Sequence, residues 1–487
     1  MKVFISLSIA LLAPLFFSII GCASTPEKDP PLNVLMISVD DLNDWVGVLK
    51  ANPDVKTPNI DRLAQEGILF KNAHCQAPIC GPSRASLLSG LRPSTTGIYG
   101  QIKDQNLRKG NAAMKTVRFL PQYFKDHGYK TLGVGKIFHN HAPKEVFDVS
   151  GGRIQGFGPL PEKRIKWDKK GTSTDWGPYP SQDSLMYDYG YAQWATKQLK
   201  KSHDQPFFMA VGFIRPHVPW YAPKKWFDLY PSDELTLPSY LPNDWNDLPE
   251  IAKQIAFKGM MPTTDWAIES GEWSKIVQAY LACVSFVDHQ VGVVLDALEN
   301  SGYKDNTIVV LWSDHGYELG EKGSFGKQTI WSESTRVPLI FKSPKIDVQQ
   351  SIPQAVELLD VYPTLLDLAA LPPNPTNEGK SLLPLINQQI DSTAVAITTY
   401  GQNNHSMINM RYRYILYENG AEELYDLQKD PEERNNIANQ EALDALKTSM
   451  RKNVPKTNVD WKVGSNYSIN NYFIRTSKQS KIKRNEH

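Results

Sequence analysis

The chain has 487 residues, with 53 lysines and arginines, 52 aspartates and glutamates, and a net charge of +1 at pH 7. Its length allows more than one domain. The balanced charge argues against a nucleic-acid-binding protein, whose surface would be strongly basic. We interpret the basic stretch at residues 478–484 as a solvated tail, with the holding of an anionic polymer as the alternative.

The first residues have the pattern of an export signal. Lys2 precedes an apolar run over residues 3–20, and Gly21 and Cys22 follow it. This end resembles the lipobox of bacterial lipoproteins, in which the cysteine is lipidated and becomes the new N-terminus. A plain secretory signal and a retained helix are the alternatives, because the run is near the lower length limit for a membrane span.

The lipobox resemblance is the basis on which we divide the N-terminal region into segments. We predict a lipoprotein signal peptide at residues 1–21 and a tether at residues 22–31, with Cys22 as the lipidated residue. The mature protein would be exported and anchored to a membrane through this lipid only. Its compartment would be the periplasm or the cell surface.

Strands and helices are predicted to alternate along the chain. Short apolar runs predict buried strands, and helical periodicity with capping and stop signals predicts helices. The predicted strands cover residues 33–39, 130–134, 207–213 and 307–312. The predicted helices cover residues 57–66, 119–127 and 275–300. This alternation indicates an α/β fold with a large, mostly parallel sheet sandwiched by helices.

The pattern changes after a proline-rich segment at residues 371–375. Shorter strands at residues 394–400 and 412–417 and a helix at residues 441–453 predict a smaller C-terminal α+β subdomain. We place the catalytic domain at residues 32–375 and this subdomain, with the basic tail, at residues 376–487.

A long insertion interrupts the predicted catalytic domain. Residues 151–183 are rich in glycine, lysine and proline and have no clear periodicity. Long loops on such folds often shape binding sites. Plain surface decoration is the alternative, and the sequence favours neither.

Four cysteines occur in the chain. Apart from Cys22, these are Cys75, Cys80 and Cys283. An oxidising compartment allows one disulfide, but three thiols cannot all pair, so at least one has another use. Cys283 lies in an apolar helical stretch and is predicted to pack in the core.

Carboxylates follow two of the predicted strands. Asp40 and Asp41 follow the first, and Asp314 and His315 follow the strand at residues 307–312. In open parallel sheets, ligands bind beyond the carboxyl ends of the strands. Two carboxylates about 4 Å apart repel by about 1 kcal/mol in water and about 4 kcal/mol at an effective dielectric of 20. A divalent cation with oxygen ligands removes this conflict, so a metal site is predicted.

His315 either coordinates the metal or orients a neighbouring ligand, since imidazole suits softer metals.

The segment from Cys80 to Gly90 is the most specific motif of the chain. Its reactive thiol could be a low-pKa nucleophile at a helix start. However, Cys80-Gly81-Pro82-Ser83-Arg84 resembles the Cys-x-Pro-Ser-Arg signature of type I sulfatases, in the alkaline phosphatase superfamily. The resemblance implies that Cys80 is oxidised to formylglycine (3-oxoalanine) by a formylglycine-generating or anaerobic sulfatase-maturating enzyme. One hydroxyl of the aldehyde hydrate then attacks sulfur, and the other expels sulfate as the aldehyde re-forms.

The resemblance extends over residues 33–438 and implies one Ca²⁺ and a role for each matching residue. Its implied metal ligands are Asp40, Asp41, Cys80, Asp314 and His315. Its implied catalytic residues are Cys80, Arg84, Lys136, His139, His217 and Lys327. Arg84 would steady the hydrate, and His217 would serve the leaving oxygen. Fixed cations stabilise the negative charge that sulfate transfer gathers, and a histidine can protonate the departing alkoxide.

Variant motifs indicate a subgroup. The spacing Lys136-x-x-His139, the triplet Asp314-His315-Gly316 and Arg215-Pro216-His217 resemble iduronate-2-sulfatases. This implies exo-acting 2-O-desulfation of a uronic acid in a sulfated polysaccharide or oligosaccharide. The implied substrate-binding residues are Lys136, His217, Lys327 and Arg215.

Two positions depart from the subgroup pattern. Arg215 stands where lysine is usual, and an arginine could hold a sugar carboxylate bidentately. Tyr317 stands where tryptophan is usual. Alternative functions are a sulfatase for another sugar or position, such as 2-sulfated xylose of ulvan, a phosphatase or phosphodiesterase of the same superfamily, and a non-catalytic glycan-binding lipoprotein.

Overall fold

The computed structural model describes residues 1, 30–109, 111–256, 258–346, 349–389, 391, 393–462, 464–465 and 472–474. The chain separates into two compact units, Met1–Pro31 and Leu32–His487. Nearly all of the predicted signal peptide and tether, including Cys22, lies outside the described residues. Those two assignments therefore stay predictions.

Strands and helices alternate through most of the second unit. In the described part of the chain, the strands are β1 (Asn33–Asp40), β2 (Ile68–His74), β3 (Lys130–Gly135), β4 (Val149–Gly152), β5 (Trp176–Pro178), β6 (Phe207–Pro216), β7 (Trp220–Ala222), β8 (Thr307–Ser313), β9 (Glu318–Leu319), β10 (Phe325–Gly326), β11 (Arg336–Lys342), β12 (Gln350–Glu357), β13 (Ala396–Thr399), β14 (His405–Ile408), β15 (Tyr412–Leu416) and β16 (Glu422–Asp426). The α-helices are α1 (Pro58–Gln65), α2 (Cys80–Ser89), α3 (Pro93–Thr96), α4 (Ala112–Thr116), α5 (Leu120–Asp126), α6 (Tyr187–Leu199), α7 (Lys224–Phe227), α8 (Glu250–Ala256), α9 (Thr264–Glu269), α10 (Trp273–Glu299), α11 (Ser332–Thr335), α12 (Val361–Leu368), α13 (Leu383–Ile386) and α14 (Asp444–Arg451).

The large sheet has eight strands in the order β12-β2-β11-β8-β1-β6-β3-β4. β1 pairs in parallel with β6 and β8, and β3 pairs in parallel with β6 and β4. β11 runs antiparallel to both of its neighbours, β2 and β8. The predicted α/β fold with a mostly parallel sheet is thus confirmed.

Helices cover both faces of this sheet, which explains the continuous apolar runs of its central strands. Every residue of β1 is buried. Alternate β1 side chains, such as Leu35 and Met36, join two different cores. The Leu35 core is packed by α1, α6 and α10, and the Met36 core by α2, α5 and α12.

The longest helix, α10, lies in the first core. Among the helices in the described part of the chain, α10 alone is long and apolar enough to cross a membrane, and 78% of its most apolar stretch is buried inside the protein. Cys283 on this helix is fully buried, as predicted for core packing. Cys75, Cys80 and Cys283 are all free thiols, so the disulfide that an oxidising compartment allows does not form between them.

A second, smaller sheet follows the large one. Its four strands run in the order β13-β14-β15-β16 and pair antiparallel. The helix predicted at residues 441–453 is a 3₁₀ turn, Glu441–Leu443, followed by α14. These elements are the predicted α+β part of the fold, and the predicted domain boundary after residue 375 stays a prediction.

Candidate active site

The ends of two neighbouring strands bring three aspartates together. Asp40 is the last residue of β1, and Asp314 directly follows β8, which pairs with β1 through Val39 and Ser313. Asp41 adopts a left-handed backbone with φ of 62°. Its N–H donates to Asp314 Oδ1 at 3.1 Å, and the three side chains are fully buried. The three carboxylates therefore converge at the carboxyl ends of two central strands, β1 and β8.

Cys80 begins helix α2 beside these carboxylates. Its Sγ lies 3.1 Å from Lys327 Nζ, 3.2 Å from His315 Nε2 and 3.8 Å from Asp41 Oδ1. Burial alone would raise the pKa of the Cys80 thiol, but the charges of Lys136, Lys327 and His315 outweigh it and hold this pKa well below its ordinary value. The position thus stabilises negative charge on the atom attached to the Cys80 Cβ.

Three buried cations pair with the three carboxylates. Arg84 Nε donates to Asp314 Oδ2 at 2.7 Å, and its Nη2 donates to Asp40 Oδ1 at 3.2 Å. Lys136 Nζ donates to the other oxygen of Asp40. Burial raises the pKa of Asp40, yet Lys136 brings it below its usual range. Burial of Asp314 dominates over Arg84 and raises its pKa to about 7.

Lys327 is the third cation, and it links the thiol to Asp41. Its Nζ donates to Asp41 Oδ1 at 2.6 Å while it contacts Cys80 Sγ. Burial would lower the pKa of Lys327, but Asp41 and Cys80 raise it well above the ordinary value. Lys327 therefore keeps its charge in the site.

The donor set fits a divalent cation such as Ca²⁺. Asp41 Oδ2 is buried without a hydrogen-bond partner among the described residues, although a carboxylate oxygen needs one. Donor atoms of two overlapping groups lie within 4.8 Å of one another: Asp40, Asp41, Cys80 and His217, and Asp40, Cys80, Asp314 and His315. Carboxylate oxygens are the hard ligands that Ca²⁺ prefers. The predicted metal residues are thus brought together.

His315 lies between the thiol and Asp41. Its Nδ1 is 3.0 Å from the Gly316 carbonyl oxygen, so this nitrogen carries a proton and Nε2 faces the site. Nε2 is also 3.4 Å from Asp41 Oδ1. Burial lowers the pKa of His315, but Asp314 and the other negative groups raise it to about 9. Both predicted roles, metal ligand and orienting residue, fit this position.

Two further histidines face the same space. His139 is half-buried, and its hydrogen bond with Cys80 is one cause of the lowered pKa of that thiol. His217 Nδ1 lies 2.6 Å from the Val218 carbonyl oxygen, which leaves Nε2 to exchange a proton. The ring of His217 stacks on Phe157 at 4.0 Å with an interplanar angle of 7°. Burial lowers the pKa of His217.

Arg215 is fully buried and turned towards the backbone of the His217 loop. Its Nε donates to the Tyr221 carbonyl oxygen at 2.9 Å, and its Nη1 donates to the His217 carbonyl oxygen at 2.9 Å. Asp188 accepts from the backbone N–H groups of Ile214 and Arg215 in the same region. Arg215 thus positions the loop that carries His217, and its predicted contact with a sugar carboxylate stays a prediction.

A cavity of about 240 Å³ opens above these groups. It is lined by His139, His217 and Lys327, and also by Phe157 and residues 171–174. The last two come from the insertion at residues 151–183, which therefore shapes the site rather than only decorating the surface. Sequence reasoning missed Phe157, because nothing in the insertion's pattern distinguishes it from a surface residue.

The residues of this site lie within a segment that matches a known protein family. The sequence profile of the sulfatase family matches residues 32–371. This chain belongs to the sulfatase family. A second profile, for the C-terminal region of N-sulphoglucosamine sulphohydrolase, matches residues 320–460. The predicted type I sulfatase resemblance is thus confirmed, and the protein is a sulfuric ester hydrolase.

Similar proteins cover nearly the whole chain. A sulfatase of Formosa agariphila is 49% identical over 470 residues, which cover 94% of this chain and 92% of that protein. Human iduronate 2-sulfatase is 34% identical over 387 residues, covering 73% of this chain and 67% of the human protein. The solved structure of a 2-O GAG sulfatase superposes with a TM-score of 0.68 at 24% identity, over 87% of this chain and 90% of that one. This last likeness concerns the fold.

Proposed function

We propose that this sulfatase removes a 2-O-sulfate from a uronic acid at the non-reducing end of a sulfated oligosaccharide or polysaccharide. In this proposal Cys80 is converted to formylglycine and one Ca²⁺ is bound. The observation that carries it is the buried cluster beneath the cavity, in which Cys80 Sγ lies 3.1 Å from Lys327 Nζ and 3.2 Å from His315 Nε2. The 34% identity to iduronate 2-sulfatase supports the choice of sugar and position.

The charges of the site suit an anionic substrate. Asp40, Asp41 and Asp314 are balanced by three buried or nearly buried cations, Arg84, Lys136 and Lys327. Bound Ca²⁺, held by the three aspartates, would add positive charge where the sulfate oxygens and an ionised nucleophile meet. The side chains alone are close to neutral, so a bound cation would supply the net positive charge that attracts a sulfate ester.

The side chains around Cys80 have distinct tasks in this proposal. Lys327 and Lys136 hold sulfate oxygens and stabilise their growing negative charge. His217 gives a proton from Nε2 to the leaving alkoxide oxygen, while Nδ1 stays bonded to Val218. Arg84 does not move, because its guanidinium is held by two carboxylates. The hydrated aldehyde at position 80 supplies the nucleophile and a route for sulfate release.

The size of the cavity supports exo action. Its volume of about 240 Å³ lies below the range of about 300–1,000 Å³ that is usual for pockets that enclose drug-sized ligands. One sugar ring with its sulfate therefore fits the site better than the interior of a long chain.

The deciding test is sulfate release from defined substrates by the purified, matured enzyme. The panel contains 2-O-sulfated uronic acid at a non-reducing end, 2-sulfated xylose, an aryl sulfate and an aryl phosphate. We expect the 2-O-sulfated uronate to be the best carbohydrate substrate. Faster release from the xylose would assign the enzyme to ulvan-type polysaccharides, and a preference for aryl phosphate would refute the sulfatase mechanism.

We also propose that the protein is exported as a lipoprotein through Cys22. The apolar run and the small residue before Cys22 support this. Cells that make the wild type should carry it in the membrane fraction, and Cys22→Ala should release it. Equal fractionation of the two would leave a plain signal or a retained helix as the explanation.

A further inference from the structure

A second cavity, of about 550 Å³, lies next to the cavity above Cys80. The two cavities share Lys258 and Met261 in their linings, so they are direct neighbours. Four aromatic side chains line the second cavity: Trp167, Tyr240, Trp245 and Trp266. We call this second cavity the aromatic cleft.

The rings of the aromatic cleft are fixed by their polar atoms. Trp167 Nε1 donates to the Met260 carbonyl oxygen at 3.1 Å, and Trp245 Nε1 donates to the Lys322 carbonyl oxygen at 3.1 Å. The Tyr240 hydroxyl donates to Asp265 at 2.7 Å. Because these edges are bonded within the protein, the half-buried rings of Tyr240 and Trp245 offer apolar surface rather than hydrogen-bonding groups to a ligand, and the buried Trp167 supports the wall.

The charges of the cleft lie at its rim. Lys169 is exposed, and its ammonium lies 5.2 Å from the centre of the Trp167 ring. Lys258, at the junction of the two cavities, is buried and donates to Glu318 at 3.1 Å. Asp265 is an exposed carboxylate of the same lining and accepts from the Tyr240 hydroxyl, so Lys169 is the exposed positive charge that an anionic substituent of a ligand would meet.

We infer that the aromatic cleft binds the sugar residue that follows the terminal sulfated uronic acid, with one apolar ring face against Trp245 and Tyr240 and an anionic substituent near Lys169. This inference rests on the proposed function. A sugar ring has an apolar C–H face and polar edges, which suits an aromatic wall with a polar rim.

The position of the cleft beside the site cavity favours another part of the same substrate as its occupant. The site cavity has room for about one ring, and the cleft begins at Lys258 and Met261, which line both cavities. Once the terminal sugar is bound, the next sugar meets the cleft at a high effective concentration. A weak contact with each aromatic ring therefore suffices to favour oligosaccharides over a single sugar.

The test compares two substrates that share the same terminal 2-O-sulfated uronate, one a methyl glycoside and one a disaccharide sulfated on its second sugar. The readout is the ratio of kcat/KM for the disaccharide to kcat/KM for the monosaccharide. We expect this ratio to be well above one for the wild type. Trp245→Ala should lower it about tenfold, the loss expected if Trp245 is one of the few contact residues that carry most of the binding energy. Trp245→Phe should restore most of it.

Lys169→Glu gives a second test at an exposed position, where folding is not at risk. It should lower the ratio through a higher KM for the disaccharide. The matched controls are Lys224→Glu, which is exposed, and Tyr412→Ala, a half-buried aromatic that lines neither cavity. Both controls should keep the wild-type ratio.

The outcomes separate the inference from the proposed function. A wild-type ratio near one, or a ratio that neither Trp245→Ala nor Lys169→Glu changes, would overturn the cleft as a sugar site while sulfate release from the uronate upholds the proposed function. Turnover of an aryl sulfate but of neither sugar would overturn both.

Discussion

The charged centre around Cys80 and the aromatic cleft beside it are built in different ways. The centre takes its carboxylates from strand ends of the central sheet and its nucleophile position from the first residue of α2, all fully buried. The cleft takes its aromatic side chains from the insertion and from loops and short helices between residues 240 and 266. Rigid strand ends hold the charges that the chemistry needs, whereas loops can vary with the sugar.

The forces in the two regions differ as well. In the centre, buried ion pairs set the pKa values of Cys80 and Lys327 far from their ordinary ranges. In the cleft, apolar contact dominates, and the exposed charges are those of Lys169 and Asp265. Substitutions in the centre should therefore change turnover, and those in the cleft should change the choice of substrate.

The largest effect is expected at Cys80. Cys80→Ala should reduce kcat by about 10⁴-fold or more, the order seen when an enzyme loses its nucleophile. Mass spectrometry of the wild-type peptide that contains residue 80 should show the aldehyde or its hydrate. Full activity with an unmodified thiol would contradict the formylglycine mechanism.

Lys327 is the next test of the charged centre. Lys327→Ala should lower kcat by about 10²–10³-fold, because it removes one fixed donor aimed at developing charge. Thermal unfolding should show a folded protein, and Lys224→Ala, at an exposed site, serves as the control. A wild-type rate in Lys327→Ala would remove this residue from the site.

Removal of the metal should act on stability as well as on turnover. A cation that binds only the folded state at 100 times its Kd stabilises the protein by about 2.7 kcal/mol. Treatment with a Ca²⁺ chelator should therefore lower the unfolding temperature, and added Ca²⁺ should restore it. Asp41→Asn should show a weaker Ca²⁺ response, and an identical response in the two proteins would exclude Asp41 as a ligand.

The smallest effect is expected at the border between the two regions. Phe157 of the insertion stacks on His217, and such aromatic contacts contribute about 0.5–1.5 kcal/mol. Phe157→Ala should lower kcat several-fold by loosening His217, while Phe157→Tyr should keep most of the activity. Unchanged kinetics in Phe157→Ala would separate the insertion from the chemistry.

The amino-acid sequence was enough to predict four neighbouring strands of the large sheet and the residues of the charged centre. β1, β6 and β8 are continuous apolar runs, so their burial on both faces is visible locally. The acidic residues after β1 and β8 and the motif that begins at Cys80 are contiguous in the chain. The convergence of the acidic residues could be predicted, because neighbouring parallel strands have their carboxyl ends on the same side of the sheet, where ligands bind.

Other strands of the sheet were not predicted, for identifiable reasons. β2 contains an exposed lysine and an asparagine, and β11 and β12 each contain a proline. Polar residues and prolines weaken a strand pattern, although edge positions and irregular pairing tolerate them. β12 lies at the edge of the sheet, and pairing is irregular in both β11 and β12.

The walls of the two cavities became visible in the folded structure alone. Phe157 meets His217, and Trp167 shares a cleft with Tyr240 and Trp245, across long stretches of chain. The fold also placed Arg215 against the backbone of the His217 loop, through a bond from its Nη1 to the His217 carbonyl oxygen. The local periodicity of the sequence does not reveal such contacts, because they depend on how loops fold back over the sheet. The chemistry was therefore readable from short motifs, and the shape that selects a sugar was not.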